Sequence, residues 1–150
     1  MGNYDEQVKR IREFSRFYLP LVAPFGNRYF GSDYSVTEAR ILFEIDENDG
    51  CTSSSIVKTL SVDKSYLSRI LKDFEKKGFL RKTPMPSDRR SYELHLTEEG
   101  KKTTVDINER VDSRMRVIVS RLTDEEWDKV DSALDIITDL FSKKENQPGK

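Results

Sequence analysis

Apolar residues recur at steps of three and four near both ends of the chain, which is the spacing of amphipathic helices. Over residues 5–19 this stripe predicts a helix that is broken or kinked near Pro20 and Pro24, because a helix interior needs the N–H that proline lacks. Beyond Thr97 two stripes predict a long helix and, after a capping box at Thr123 and Glu126, a second one. The apolar positions are Val8, Ile11, Phe14, Phe17 and Tyr18, then Ile107, Val111, Met115, Ile118 and Leu122, then Trp127, Val130, Leu134, Ile137 and Phe141.

The middle of the chain has the pattern of three shorter helices followed by two strands. The helices lie in VTEARILFEI, TSSSIVKTL and SVDKSYLSRILKDFEKKG, and the strands FLRKT and SYELHLT flank a proline-rich turn. The candidate N-cap of the first of these helices is Thr37, or alternatively Ser35 in a capping box with Glu38. Thr52 is the candidate N-cap of the second helix and Ser61 or Asp63 that of the third, which ends at Gly78. This order predicts a winged helix-turn-helix, in a mostly α-helical (α+β) fold with a small β-hairpin wing.

We expect a single domain over residues 1–142 with two lobes. A winged-helix DNA-binding lobe would occupy about 35–97, and a helical dimerisation lobe about 5–30 and 98–142, followed by a disordered tail at 143–150. The apolar stripes of the terminal helices are wider than the compact lobe can cover, so a second copy of the chain is the simplest cover. The alternative is a closed monomer.

The bulk composition narrows the class of protein. Of the 150 residues, 35% are hydrophobic and 35% charged, and no apolar run approaches the ~20 residues that span a bilayer. The N-terminal residues MGNYDEQVKRIREF lack the cationic start and apolar middle of a signal peptide, so we expect a cytoplasmic protein.

Few residues are available for catalysis or metal binding. With one histidine, one cysteine and no glycine-rich phosphate loop, neither a catalytic triad nor a metal site can be assembled convincingly, so we expect no enzyme, no cofactor and no metal. Cys51 cannot form an internal disulfide and is a small loop residue or a redox-sensing thiol. His95 is expected to face outward, as a bystander or phosphate contact, on a strand whose Tyr92, Leu94 and Leu96 face inward.

The net charge of −1 conceals an uneven distribution. Residues 1–57 carry a net charge of −3, residues 58–90 carry +6 and residues 91–150 carry −4. A basic segment inside an acidic chain favours an anionic partner that meets this segment alone.

The fourth predicted helix has an apolar side and an opposite cationic side. Leu67, Ile70, Leu71 and Phe74 cluster on one side, and Ser65, Arg69, Lys72 and Lys76 on the other. The N-terminal turns of a DNA-reading helix enter the major groove, where arginine suits a bidentate contact with guanine. The major-groove candidates are therefore Lys64, Ser65, Tyr66, Ser68 and Arg69, and the DNA-backbone candidates are Thr52, Lys72 and Lys82. The alternative is an ordinary solvated helix face.

The predicted hairpin carries two arginines at its tip. Pro84 and Pro86 stiffen the turn that holds Arg89 and Arg90 beside the same helix, where they can meet the minor groove. Asp88 could brace one guanidinium by a charge-assisted hydrogen bond.

The stretch DKSYLSRILKDFEKKGFLRKTPMPSDRRSYELHLTEEGKK resembles the recognition helix and wing of the MarR family of bacterial transcription regulators. The motif residues are Asp88 and Arg90 of D-x-R, followed by Leu96, Thr97 and Gly100 of L-T-x-x-G. The resemblance implies an obligate homodimer, with Arg90 in the minor groove, Asp88 orienting it, and residues 64–69 in the major groove. Two recognition helices one DNA turn apart, about 34–36 Å, would require an inverted-repeat operator.

The resemblance also suggests regulation by a small-molecule effector and a relationship to fusion proteins that carry a second domain. SVTEARILFEI and SYLSRILKDFE resemble the MarR-like half of acetyltransferase fusions, of which this chain would be a stand-alone relative or a fragment. Many MarR relatives bind small aromatic or phenolic effectors between their two lobes. Here the aromatic group comprises Phe14, Phe17, Tyr18, Phe25, Tyr29, Phe30 and Phe43, with Phe14, Phe17, Tyr18, Tyr29 and Phe43 as the candidate effector pocket. We expect an operator-binding repressor released by such an effector; activation, or a protein-interaction module meeting an acidic protein, are the alternatives.

Overall fold

The computed structural model describes residues 3–22 and 28–145, with side chains to residue 142. The elements are α1 (Tyr4–Val22), a 3-10 turn (Tyr29–Gly31), α2 (Val36–Glu47), α3 (Ser53–Leu60), α4 (Lys64–Lys76), β1 (Leu80–Pro84), β2 (Tyr92–Leu96), α5 (Glu98–Val119) and α6 (Asp124–Glu145). They form two compact units, Met1–Asp112 and Ser113–Lys150. None of the described helices is long and apolar enough to cross a membrane. The expectations for Pro24, Phe25 and the end of the tail concern residues outside those described.

The core of the first unit is built from α2, α3, α4, the hairpin and the start of α5. Its fully covered side chains include Ile41, Leu42, Ile45, Ile56, Leu67, Phe74, Leu94 and Ile107. The predicted apolar side of α4 is the side that packs, because Leu67, Ile70, Leu71 and Phe74 are all buried. The mostly helical fold with a two-stranded antiparallel wing is confirmed.

Side-chain caps fix where the short helices begin. Ser35 and Glu38 form a reciprocal capping box at α2, at 3.2 and 2.8 Å, so Thr37 is not the cap. Thr52 caps α3 as predicted. At α4 the cap is Asp63, whose Oδ2 accepts from the Tyr66 N–H at 2.9 Å. Ser61 instead ends α3 in the left-handed region at φ 52°, where its side chain cannot serve as an N-cap.

The helix α1 continues past Pro20 and its described part ends at Val22, between the two prolines, whereas a kink at Pro20 stays a prediction. Proline removes one N–H, and since Pro20 lies in the last turn only one backbone hydrogen bond is lost. No residue of α1 is buried, and the same holds for the described side chains of α6. The predicted capping box before α6 is confirmed, with Thr123 and Glu126 bonded at 2.9 and 3.2 Å.

A close approach anchors α5 against the hairpin. A Cβ on Gly100 would lie 2.2 Å from the Phe79 carbonyl oxygen, so only glycine fits here without movement of the backbone. The Thr97 hydroxyl donates to the Gly78 carbonyl and accepts from the Gly100 N–H. Thr97 and Gly100 of the L-T-x-x-G motif therefore hold the base of the wing against the start of α5.

Candidate nucleic-acid interface

The outward face of α4 is cationic and exposed. Its exposed residues include Lys64, Ser65, Ser68, Arg69, Lys72 and Lys76. Tyr66 is half-buried against the core, and the Arg69 guanidinium carbon lies 5.7 Å from the centre of its ring. This cation–π contact restricts Arg69 before any ligand arrives.

Most cations of the basic segment 58–90 form no ion pair with an acid in the part of the chain that the structure describes. Among the described residues, the segment's ion pairs are Lys77 with Asp73 and Lys82 with Glu75, each at 2.8 Å. Eight of its ten cations have no described ion pair; they are Lys58, Lys64, Arg69, Lys72, Lys76, Arg81, Arg89 and Arg90. The two remaining acids of the segment, Asp63 and Asp88, accept hydrogen bonds in a helix cap and a turn. The segment's positive charge is thus available to an external anion.

A groove of about 300 Å³ runs between α3, α4 and β1. It brings together three of the predicted DNA-contacting residues, Lys64, Ser68 and Lys82, beside Ser53 and Ser54 at the start of α3. Lys82 forms an ion pair with Glu75, and this ion pair would have to break before Lys82 could bind a phosphate. Thr52, immediately before the groove, accepts from the Ser55 N–H, and a hydroxyl in that arrangement can still donate.

The tip of the wing is ordered by Asp88 in a way the sequence did not indicate. Its carboxylate accepts from the Arg90 backbone N–H at 3.0 Å and from the Ser91 hydroxyl at 3.1 Å. The predicted bond to a guanidinium is absent from the described contacts, because the nearest donors are those of the turn itself. Asp88 therefore shapes the backbone, while the Arg89 and Arg90 side chains remain exposed.

The inward and outward residues of β2 differ from the expectation at two positions. Leu94 and Leu96 are buried, but Tyr92 is 47% exposed because it pairs with Pro84 at the far end of the hairpin, beyond the core. His95 is largely covered and bonded to Asp49, so it is not a free outward bystander. No local pattern could reveal this bond, since its partners lie 46 residues apart.

The candidate effector residues fall into two groups by their ring contacts. Phe14 stacks on Tyr18 at 5.3 Å, and Tyr29 contacts Phe43 and Phe30 edge to face at 6.3 and 4.7 Å. Among the described residues no ring contact joins the two groups, and Phe17 is exposed. Burial raises the pKa of the Tyr29 hydroxyl above its ordinary value. A pocket made by all five residues stays a prediction.

Cys51 lies in the loop before α3, paired through its backbone with Leu94. Burial raises the pKa of its thiol, and the nearby Glu44 carboxylate raises it further. Both effects disfavour the reactive thiolate, which favours the interpretation of Cys51 as a small loop residue.

Comparison with known proteins points to one family. Residues 34–92, from two residues before α2 to the first residue of β2, match the MarR family model. The chain is similar to the HTH-type transcriptional regulator BilQ of Clostridioides difficile (strain CD3), with 24% identity over 106 residues, 71% of this chain and 72% of that protein. It is also similar to the putative transcriptional regulatory protein for the hcr operon of Thauera aromatica, with 30% identity over 82 residues, 55% of this chain and 49% of the relative.

Solved structures show the same fold over nearly the whole chain. Streptococcus pneumoniae FabT in complex with DNA superposes with a TM-score of 0.75 at 22% identity, covering 91% of this chain and 98% of that one. A MarR transcriptional regulator from Methanosarcina mazei Go1 gives a TM-score of 0.69 at 23% identity, covering 87% and 98%. The chain thus has the MarR winged-helix fold. Since the relatives are transcriptional regulators, the comparisons support the prediction that it is not an enzyme.

Proposed function

We propose that this chain, which has the fold of the MarR transcriptional regulators, is a sequence-specific DNA-binding regulator that acts as a homodimer on an inverted-repeat operator. The observation that carries the proposal is the set of cations in residues 58–90, most of them on α4 and the wing, for which the described residues provide no ion pair, within a chain of net charge −1. The family-model match covers this region, and one structural neighbour was solved in complex with DNA.

Each element of the interface has a distinct task in this proposal. The N-terminal turns of α4 enter the major groove, where Arg69 binds a guanine and Lys64, Ser65, Tyr66 and Ser68 contact bases or phosphates. Arg90, assisted by Arg89, enters the adjacent minor groove from the turn that Asp88 orders. Thr52, Lys72 and Lys82 bind the DNA backbone, which positions the protein without reading sequence.

A second copy of the chain is the proposed cover for the apolar residues that the monomer leaves exposed. On α6 these include Trp127, Val130, Leu134, Ile137 and Phe141, which follow one another at steps of three and four, and also Ile136 and Leu140. Exposed apolar stripes of this length mark association surfaces. A two-fold dimer would present two recognition helices to one face of the duplex, as an inverted repeat requires.

Repression is the proposed outcome of binding, because a dimer seated on an operator blocks polymerase. Release by a small aromatic molecule at Phe14, Phe17, Tyr18, Tyr29 and Phe43 completes the proposal. It is supported by the half-exposed Phe14–Tyr18 stack and by the resemblance to MarR regulators. The likeness to acetyltransferase fusions stays a prediction, since the relatives named above are regulators.

The test begins with selection of genomic DNA fragments by the purified protein, followed by sequencing. The proposal predicts enrichment of fragments that share an inverted repeat. On the most enriched fragment, Arg90→Ala should weaken binding about tenfold, within the range of one specific arginine contact. Arg69→Ala should also reduce the preference for that fragment over a scrambled one.

The matched control is Arg121→Ala, which removes one exposed arginine outside the basic segment and should leave affinity within about twofold. Binding should also weaken steeply between 50 and 200 mM salt, because bound phosphates release counterions. If the wild-type protein enriches no fragment, or if Arg90→Ala and Arg69→Ala both bind like wild type, the proposal is wrong. An interaction module for an acidic protein would give no salt-sensitive DNA binding.

A further inference from the structure

His95 has both ring nitrogens engaged and only 15% of its side chain exposed. Its Nδ1 lies 2.9 Å from the Asp49 carboxylate, and its Nε2 lies 3.1 Å from the Thr83 hydroxyl and 3.6 Å from the Glu93 carboxylate. Because a carboxylate only accepts, Nδ1 carries the proton in this bond. One side chain thus joins both strands of the wing to the loop before α3.

The backbone attaches the wing to that loop at a single residue of β2. The Gly50 N–H donates to the Leu94 carbonyl at 2.9 Å, and the Leu94 N–H donates to the Cys51 carbonyl at 2.8 Å. The buried side chains of Leu80, Leu94 and Leu96 also fix the base of the hairpin in the core. The His95–Asp49 bond is made on the other face of β2, so it adds a support that neither the backbone bonds nor the core provides.

A second tether holds the hairpin from its other face. Successive side chains of a strand point to opposite faces, so Lys82 shares the face of Leu94 whereas His95 is on the reverse. Lys82 pairs with Glu75 of α4. Among the described residues, these two are the only side-chain bonds that join the strands to α4 or to the loop at Asp49. Since Lys82 would have to leave Glu75 to bind a phosphate, the His95–Asp49 bond is the one of the two that can hold the hairpin while DNA is bound.

The hairpin enlarges at its tip any movement at its base. His95 is adjacent to the buried Leu96 near the base of β2. The other end of the strand, Tyr92, is three residues away, about 10 Å at 3.3 Å per residue, and Arg90 lies in the turn beyond it. We infer that His95 is a positioning residue that sets the tilt of the wing, and thereby the contact of Arg90 with DNA. The inference rests on the proposed function and adds a residue outside the predicted interface.

A double-mutant cycle on the most enriched DNA fragment tests this role. Dissociation constants are measured for wild type, His95→Ala, Arg90→Ala and the double variant. His95→Ala should weaken binding about fivefold in the wild-type background and less than about twofold when Arg90 is already absent, since coupled residues are not additive. Equal losses in both backgrounds, or no loss, would overturn the inference, because a general loss of folding acts in both.

Asp49→Ala gives an independent test, because the inference and simple electrostatics predict opposite changes in DNA affinity for this variant. Removal of an exposed carboxylate, 71% accessible, should by charge alone tighten binding to DNA. The inference instead predicts a loss similar to that of His95→Ala. Glu47→Ala, which removes an exposed acid with no described ion pair two residues earlier, is the control and should bind as wild type or tighter.

His95→Asn retains an amide N–H near the position of Nδ1 and should recover part of the affinity lost in His95→Ala. Tighter binding by Asp49→Ala would contradict the inference while leaving the proposed function intact. Failure of the proposed function would give a different result, because the wild-type protein would then enrich no DNA. That result would contradict both proposals.

Discussion

The helices α4 and α6 carry similar apolar stripes, but the stripe of α4 is buried and that of α6 is exposed. In α4 the stripe is covered within the chain, and Phe74 is completely buried. In α6 the stripe is open, with Leu134 45% and Phe141 58% exposed. A periodic pattern therefore tells which face of a helix is apolar, but not whether its cover belongs to the same chain.

This difference separates two kinds of stability. The core around α4 gains its free energy from contacts within one chain, so that free energy should not depend on protein concentration. If α6 is covered by a second copy, its contribution follows mass action and rises with concentration. Substitutions in the two helices should therefore differ in concentration dependence as well as in size.

The largest effect is expected for Phe74→Ala. Loss of a completely buried phenylalanine should lower the free energy of unfolding by about 3–5 kcal/mol, because the site leaves a cavity. Urea denaturation at two protein concentrations measures it. The same truncation at Phe141 is the control, and its cost should change with concentration while that of Phe74→Ala does not. If the costs of both substitutions depend on protein concentration in the same way, the proposed difference between the two helices is wrong.

A charge placed on the exposed apolar stripe of α6 should weaken dimerisation without destabilising the core around α4. Leu134→Glu is expected to raise the dimer dissociation constant at least about tenfold, since an unpaired carboxylate is costly in an apolar contact. Sedimentation equilibrium measures this change. Asp135→Glu, which places the same side chain one residue further along, should leave association unchanged. An unaltered Leu134→Glu dimer would show that the stripe is not the contact.

Features that depend on neighbours in sequence were predictable, and features that depend on distant residues were not. The Thr52 cap and the two sides of α4 follow from spacing alone. The choice of Ser35 over Thr37 needed the backbone geometry, because both residues suit a cap. The bond between His95 and Asp49 arises only when the chain brings the wing to the loop before α3.

Ser61→Gly should stabilise the covered core by about 1 kcal/mol, because Ser61 has φ 52° and glycine adopts that region without a steric penalty. The gain should not depend on protein concentration. Thermal or urea unfolding measures it, with Ser54→Gly in the helical part of α3 as the control. That control should lose stability, since glycine there adds only backbone freedom. A destabilised Ser61→Gly would contradict the left-handed conformation.

A small loss of stability is expected at alkaline pH. Burial raises the pKa of Cys51 and of Tyr29, and the hydrogen bond that the Lys77 ammonium donates to the Asp73 carboxylate raises the pKa of Lys77. A group whose folded pKa is raised favours folding fully below its unfolded pKa and loses that contribution as pH rises through the folded value. Stability should therefore decline above about pH 8.5. Urea titrations between pH 7 and 11 measure it, and Cys51→Ala should delay the onset; a flat profile would contradict these shifts.

Hydroxyl-radical footprinting of the most enriched DNA fragment tests most directly whether α4 and the wing bind one duplex twice over. We predict two protected segments related by two-fold symmetry, centred about one helical turn apart, each flanked by minor-groove protection that Arg90→Ala removes. A single asymmetric footprint, or flanking protection unchanged in Arg90→Ala, would contradict the account.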